Sequence, residues 1–367
     1  MKMVVPDNFK DYLTFYHEVR TPLHPFFAPE NNQRLKDKLL VVSSPSRMGN
    51  HLLMSMLDNH PELPRVPGED GQHIFTFTQA NYDLYHYLKC LRGESPAEFL
   101  MDLASNGGGS KWRRFDQCYR ENSVNGVKVS GVGVDESSAT VDFEGVLFPI
   151  NFQEYEESLK SDEDGLREAT CYAEILHRYL DAAALLDPAR EKRQEIHGDA
   201  RFDRYFVYGG MRTQLKWLCE THPEVRILTS VRSFPSYAIS QIKSRHGDVE
   251  PTAEMIQTAW EHWFHKVIDA LYLRIHFPRQ VGIVTFEDLI ESPKECQNTI
   301  CDFLEIGWDD SLAEATIFGN PVKGNSWSSR KGAASGAFYK PSRLLPDEQV
   351  PRGADEIWEQ VFRSKLS

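Results

Sequence analysis

The chain contains 367 residues, of which 54 are acidic and 41 are basic, so its formal net charge is −13 at pH 7. This acidic balance argues against nucleic acid as a partner, because phosphate backbones are bound by positively charged surfaces. No stretch approaches the ~18 apolar residues of a membrane span, and the first residues lack the apolar core of a signal peptide, so we expect no membrane partner. The length predicts one domain over residues 1–367.

Six cysteines occur without a C-x-x-C pair and without the Cys/His spacing of a metal site. We therefore predict no bound metal, and reduced thiols in a cytoplasmic protein. The acidic balance favours a neutral or cationic small molecule over a polyanion as the binding partner.

Residues 39–63 have the pattern of a strand, a tight loop and a helix. The apolar run 39–42 predicts a buried parallel strand, and the apolar spacing in 52–57 predicts a helix. Between them, Gly49 lets the backbone approach a ligand closely, and Arg47 adds a permanently charged donor. Unpaired N–H groups and the macrodipole make the start of such a helix an anion site.

The central part of the chain has the least regular pattern. We expect a helix over 82–103, which SNGGGS at 105–110 ends. The acidic segment 158–164 predicts a surface loop, and apolar residues at helical spacing predict a helix over 168–186. We interpret 105–200 as a variable, largely helical insertion, and segments of this kind usually determine substrate choice.

Alternating strands and helices resume at residue 205 and predict a parallel sheet. The predicted strands are 206–208, 225–231 and 281–286, and the predicted helices are 211–220, 251–277 and 355–362. Arg232 follows the second of these strands, at the end where open α/β sheets bind ligands, and Ser240 comes eight residues later. As an alternative, Arg232 would be a capping or surface arginine. Glu287 and Asp288 are expected to cap the helix after the third strand.

Residues 325–340, NSWSSRKGAASGAFYK, form a segment rich in basic residues and glycine. Together with SSPSRMGNHLL at 43–53 and the Arg232–Ser240 pair, this segment resembles the motifs of the PAPS-dependent sulfotransferases. PAPS is 3′-phosphoadenosine 5′-phosphosulfate, the sulfuryl donor. The three motifs stand in the family's order. The resemblance implies an α/β fold, a P-loop-like three-layer sandwich with a central parallel sheet.

The resemblance also implies a role for each motif. The chain would move the sulfuryl group of PAPS to a hydroxyl or amine of a small-molecule acceptor and release the bisphosphate nucleotide PAP. The 5′-phosphosulfate would be held by Arg47 and by the amides of Met48, Gly49, Asn50 and His51. The 3′-phosphate would be held by Arg232, Ser240, Arg330, Lys331 and Gly332.

A general base is expected shortly after the first predicted helix. In the family this region often carries an acidic base, and Glu69, Asp70 and His73 lie there behind a turn. Glu69 is the candidate base, with His73 as a further catalytic candidate. As an alternative, Glu69 and Asp70 would be solvated turn residues.

Several residues depart from the family pattern. Ser46 is inserted in the first motif, Met48 replaces a hydroxyl residue, and Asn50-His51 replaces a hydroxyl pair. Gly209-Gly210 stands where many members have a lysine, and this leaves a non-catalytic nucleotide-binding scaffold as one alternative. A P-loop nucleotide kinase or phosphotransferase is the other. It is disfavoured because the Walker lysine and its magnesium-binding hydroxyl are missing.

Overall fold

A parallel β-sheet with helices packed against it confirms the predicted α/β class. The computed structural model describes residues 38–43, 47–58, 60–63, 95, 97, 127–128, 147–148, 152–171, 174–175, 177–178, 181–182, 185, 204–208, 212–317, 320–321 and 344–366. The strands are β1 (Lys38–Val42), β2 (Val127–Lys128), β3 (Leu147–Phe148), β4 (Arg204–Tyr208), β5 (Arg226–Val231), β6 (Val281–Thr285), β7 (Thr316–Ile317) and β8 (Asn320–Pro321). The α-helices are α1 (Asn50–Leu57), α2 (Phe152–Ser161), α3 (Glu163–Glu168), α4 (Arg212–Thr221), α5 (Phe234–His246), α6 (Ala253–His276), α7 (Phe286–Glu291), α8 (Pro293–Leu304) and α9 (Ala354–Ser364).

The main sheet has the strand order β4-β1-β5-β6, and all its neighbouring strands are parallel. Val41 is in register with both Val207 of β4 and Ile227 of β5. The side chains of 39–42 are at most 3% exposed and every residue of β6 is buried, as expected for a sheet covered on both faces.

The order of the strands fixes where a ligand can bind. From β1 the chain leads to β4 on one side, and β5 then lies on the other side of β1. Neighbouring connections that diverge in this way open a crevice at the carboxyl ends of the two strands. A ligand site is therefore expected beyond the ends of β1 and β5.

Helix α6 joins the core to this end of the sheet. Its Trp260 and Trp263 stack on each other with ring centroids 5.4 Å apart, and both contact Phe234 of α5 edge-on. Trp263 is fully buried, and its indole N–H donates to the carbonyl of Arg232 at 2.7 Å. The hydrophobic core thus fixes the backbone that follows β5.

The predicted surface loop at 158–164 is wrong. The segment spans the end of α2 and the start of α3, with Asp162 between them. Leu159 and Leu166 are buried, so each helix has an apolar contact, and Glu163 accepts from the Ser95 hydroxyl and the Ala97 N–H. The two serines and two aspartates of this segment indicated a loop, but these residue types are also favoured at the starts of helices, and Asp162 is the N-cap of α3.

The other predicted elements that lie in described residues are confirmed, with their ends moved by one or two residues. Of the expected helix at 168–186, positions 174, 175, 177, 178, 181 and 182 are described and helical, whereas 169–171 and 185 are described and not helical. Of the expected helix at 82–103, only residues 95 and 97 are described, and Ala97 is helical. Among the described helices, none is both long and apolar enough to cross a membrane.

We predict that His222 makes the protein sensitive to acid. The side chain is 2% exposed and lies edge-on to Trp217, and burial lowers its pKa to about 4. The unfolded chain binds a proton at His222 near pH 6.5, whereas the folded protein binds it only near pH 4. With respect to this group, the folded protein is therefore fully stable above pH 6.5, and it loses stability as the pH falls from 6.5 to 4. Acidification should lower the free energy of unfolding of the unchanged protein by up to about 3 kcal/mol through His222, and His222→Phe should lack this loss.

Urea unfolding at pH 7, 5.5 and 4.5 would measure this effect, and the exposed His265→Gln serves as the control. An equal loss of stability on acidification in His222→Phe and in the unchanged protein would contradict the prediction.

Candidate functional site

Three chain segments meet beyond the carboxyl ends of β1, β5 and β6. Ser43 continues β1, and its N–H donates to the carbonyl of Leu228 at 2.8 Å. Arg232 directly follows β5, and Phe286 directly follows β6. The site is therefore built on the edge of the sheet at which its topology opens a crevice.

The turn that precedes α1 has an unusual backbone. Arg47 and Gly49 both have positive φ angles, 72° and 101°, while Met48 between them is fully buried. A positive φ is uncommon for residues other than glycine, and Arg47 adopts it next to the buried Met48. Gly49 is the N-cap of α1 and no side chain caps this end, so the first amides of the helix retain donors for an anion.

Phe286 links this turn to the end of β5. A Cβ atom on Gly49 would lie 2.7 Å from Cδ2 of Phe286, which is closer than van der Waals contact permits. The guanidinium carbon of Arg232 lies 4.1 Å from the centroid of the same ring. Because one side chain touches both residues, the glycine turn and Arg232 are held next to each other.

The backbone after Arg232 is anchored by Glu287. One of its carboxylate oxygens accepts from the Ser233 N–H at 3.1 Å and from the Ser233 hydroxyl at 2.7 Å. Burial raises the pKa of Glu287, while the hydrogen bonds and the charge of Arg232 act in the opposite direction. Helix α7 is capped instead by Thr285, which accepts from the Asp288 N–H at 3.1 Å. The expectation that Glu287 caps this helix is therefore wrong, because its side chain reaches back to the β5 loop.

Helix α5 presents three serines toward the site at intervals of four residues, which places them on one face. Ser236 accepts from Nε of Arg232, and Ser244 accepts from the guanidinium of Arg47. Ser240, half-buried, lies between them. The outer serines are ~12 Å apart along the helix axis. The first serine of the row thus contacts Arg232, which follows β5, and the last contacts Arg47, which follows β1.

Five of the predicted site residues lie outside the described part of the chain, namely Glu69, His73, Arg330, Lys331 and Gly332. The structure brings together Arg47, Gly49 and Arg232 with the backbone of Met48, Asn50 and His51 at the start of α1, whereas Arg232 donates to Ser236 and Ser240 lies one turn further along α5. Phe286 and the contact between Glu287 and Ser233 were not predicted. The sequence around Phe286 does not indicate whether this side chain only fills the core or also packs against an arginine.

Known protein families and structures show similarity to part of this chain. Residues 152–310 match the model of the sulfotransferase family. This match supports the predicted sulfotransferase resemblance over residues 152–310. The sulfotransferase match includes Arg232, Ser240 and Phe286, whereas the turn at Arg47 and Gly49 precedes it. No match to a curated protein was found.

Three solved sulfotransferase structures are similar to the chain. The sulfotransferase domain from the Synechococcus PCC 7002 olefin synthase is 16% identical, covers 78% of this chain and 80% of its own, and gives a TM-score of 0.41. The sulfotransferase domain from the curacin biosynthetic pathway is 15% identical, with coverages of 91% and 100% and a TM-score of 0.41. Sulfotransferase STF9 from Mycobacterium avium is 13% identical, with coverages of 77% and 68% and a TM-score of 0.35.

We predict that Gly49→Ala destabilises the protein more than Gly247→Ala. Both glycines have positive φ, but a Cβ on Gly247 would meet no atom within 4 Å, whereas one on Gly49 would overlap Phe286. The control substitution should cost only the backbone strain of about 1–2 kcal/mol. Gly49→Ala should cost more, and the further change Phe286→Leu should recover part of the difference. Equal losses for the two alanine variants in urea unfolding would contradict the proposed contact.

We also predict that Glu287→Ala lowers the free energy of unfolding by about 1–3 kcal/mol, because it leaves two partly buried donors of Ser233 without an acceptor. Glu287→Gln keeps one carbonyl oxygen and should retain most of the stability. Chemical denaturation of both variants measures the difference. Similar losses for alanine and glutamine would show that the carboxylate charge, rather than an acceptor at this position, is what matters.

Proposed function

We propose that this protein is a PAPS-dependent sulfotransferase that moves a sulfuryl group to a hydroxyl or amine of a small-molecule acceptor. The observation that carries the proposal is the contact of one ring, Phe286, with both Gly49 and Arg232. It places a helix N-terminus and a buried arginine side by side, and a nucleotide with anionic groups at both its 3′ and 5′ positions needs two such sites.

The residues divide between the two ends of the donor. The amides of Met48, Gly49, Asn50 and His51 at the start of α1 would hold the 5′-phosphosulfate. Arg232 and Ser240 would hold the 3′-phosphate, since Arg232 is 9% exposed and a buried guanidinium binds oxyanions strongly. Arg330, Lys331 and Gly332 would close over the same phosphate. We infer a P-loop-like three-layer sandwich for the donor-binding fold.

In-line transfer leaves little covalent work for the protein, so its residues contribute by positioning and by stabilising charge. Arg47 would move from Ser244 to offset the charge that grows on the bridging oxygen. Glu69, with His73 as a further candidate, would take the proton of the acceptor, and a positioned base contributes about 10²–10⁴ in rate. No metal takes part in this scheme.

The acceptor remains defined only by class. We propose that the insertion at 105–200 covers its pocket within the single domain of residues 1–367. A neutral or cationic acceptor stays a prediction from the net charge of −13. A cytoplasmic location stays a prediction from the pattern of cysteines.

We predict that PAP stabilises the protein against heat more than ADP, which lacks the 3′-phosphate, or ATP with Mg²⁺. A ligand present at 100 times its Kd adds about 2.7 kcal/mol to the free energy of unfolding. Arg232→Gln should remove at least half of this gain, because a charge-assisted hydrogen bond contributes about 1.5–3 kcal/mol. Differential scanning fluorimetry measures both quantities.

The matched control is Arg226→Gln, since Arg226 lies at the opposite end of the same strand and pairs with the exposed Glu305. It should leave the PAP effect unchanged. Stabilisation by ATP with Mg²⁺ alone would favour a nucleotide kinase. Binding of PAP without sulfuryl transfer from PAPS to any of a panel of hydroxyl and amine acceptors would favour a non-catalytic scaffold.

A further inference from the structure

The residues at the end of α9 lie along the outer edge of the sheet. Strand β6 is the last strand in the order β4-β1-β5-β6, so one of its edges faces away from the other strands. The Leu366 N–H donates to the carbonyl of Ile283 in this strand at 2.8 Å. The Leu366 side chain covers Gly282, since a Cβ atom there would lie 2.8 Å from its Cδ1. We call residues 364–366 the edge segment.

Arg274 of α6 joins the edge segment to the start of the strand. Its Nε donates to the carbonyl of Ser364 at 3.0 Å, and its Nη1 donates to the carbonyl of Val281 at 2.8 Å. The backbone of an edge strand is open to pairing with another chain unless its polar groups are satisfied. Here the chain itself supplies donors to the carbonyls of 281 and 283, so the edge segment is bound along β6 at more than one point.

A charged contact extends the edge segment to α7. Lys365 Nζ donates to Oδ2 of Asp288 at 2.8 Å, and it lies 3.9 Å from the centroid of the Phe362 ring. The side chains of Lys365 and Asp288 are 17% and 33% exposed, so solvent screens this ion pair less than it screens a fully exposed pair. Lys365 thus holds the first turn of α7 against the end of α9.

The strand and the helix that the edge segment holds are the ones that organise the candidate site. Strand β6 continues directly into α7, whose first residue, Phe286, has its ring against Gly49 and Arg232. The second residue, Glu287, binds Ser233, and Asp288 follows it. Rigid secondary elements carry coupling between distant groups. A displacement of the first turn of α7 would therefore move both contacts together.

We propose that the edge segment is a positioning element of the donor site, and that Lys365 acts on donor affinity through Asp288 and Phe286. Lys365 is a positioning residue, because its contacts are with α7 and α9 and not with the donor. When its ion pair is lost, the first turn of α7 gains freedom, and the glycine turn and Arg232 lose their common support. This role deepens the proposed function and rests on it for the ligand alone.

Hydrogen exchange of the full chain without ligand tests whether the edge segment holds the site. Lys365→Met removes the charge and keeps a long side chain that still packs on Phe362. Arg363→Met is the matched control, since it makes the same change in charge and its partner Glu359 belongs to the same helix. We expect exchange in Lys365→Met to be about threefold faster or more at residues 286–291 and at the Ser233 amide. The control should leave exchange at these positions unchanged.

The affinity for PAP separates positioning from a general loss of stability. Isothermal titration calorimetry far below the melting temperature measures it on folded protein. We expect Lys365→Met and Asp288→Asn to weaken PAP binding about three- to tenfold, as is typical of residues that act on a site from a distance. Lys365→Arg keeps the ion pair and should retain most of the affinity. In a Phe286→Leu background, Lys365→Met should have little further effect, because the ring that transmits it is gone.

Two results would overturn the positioning role. One is equal exchange at Ser233 and in α7 in Lys365→Met and in the unchanged protein. The other is a Lys365→Met variant that melts at a lower temperature but binds PAP as tightly as the unchanged protein, since the edge segment would then only stabilise the fold. If the unchanged protein does not bind PAP, the proposed donor is overturned instead, and the exchange result alone decides whether the edge segment holds the site.

Discussion

The site depends on the position of one phenylalanine ring. Phe286 directly follows β6, and its ring contacts both the backbone of Gly49 and the guanidinium of Arg232. Since these residues follow three neighbouring parallel strands, the ring ties the ends of β1, β5 and β6 into one unit. A side chain at position 49 would remove the space that the ring fills. Glycine is therefore required there for the close approach as well as for its positive φ.

The rigidity of Arg232 has several independent supports. Its carbonyl accepts from Trp263 in the core, its side chain donates to Ser236, and the next residue is bound by Glu287. Such supports matter because a buried guanidinium loses solvation, and it stays in place only if its donors and its charge are compensated. A site organised before the ligand arrives also loses less conformational entropy on binding.

Helix α5 connects the two halves of the site in a simple way. Residues four apart lie on the same face, so Ser236, Ser240 and Ser244 form a row that meets Arg232 at one end and Arg47 at the other. Tyr237 on the same helix accepts a hydrogen bond from Lys266 of α6. A positively charged region thus exists locally in a chain whose formal net charge is −13, because net charge describes the whole surface and not a cleft.

The sequence by itself determined the class of the fold, the four strands of the sheet and the residues that follow β1 and β5. Apolar periodicity and turn residues are local properties, so Gly49 and Arg232 could be assigned to strand ends from the chain alone. The sequence misassigned the acidic segment at 158–164, since Ser and Asp occur both in loops and at the starts of helices, and Asp162 is the N-cap of α3.

Only the tertiary structure decided which strand ends are neighbours, and therefore that Phe286 touches both Gly49 and Arg232. It also decided the partner of Glu287 and the contact of Lys266 with Tyr237. These contacts join residues far apart in the chain, and whether a phenylalanine, a glutamate or a lysine has such a role depends on what packs against it and not on its neighbours in sequence.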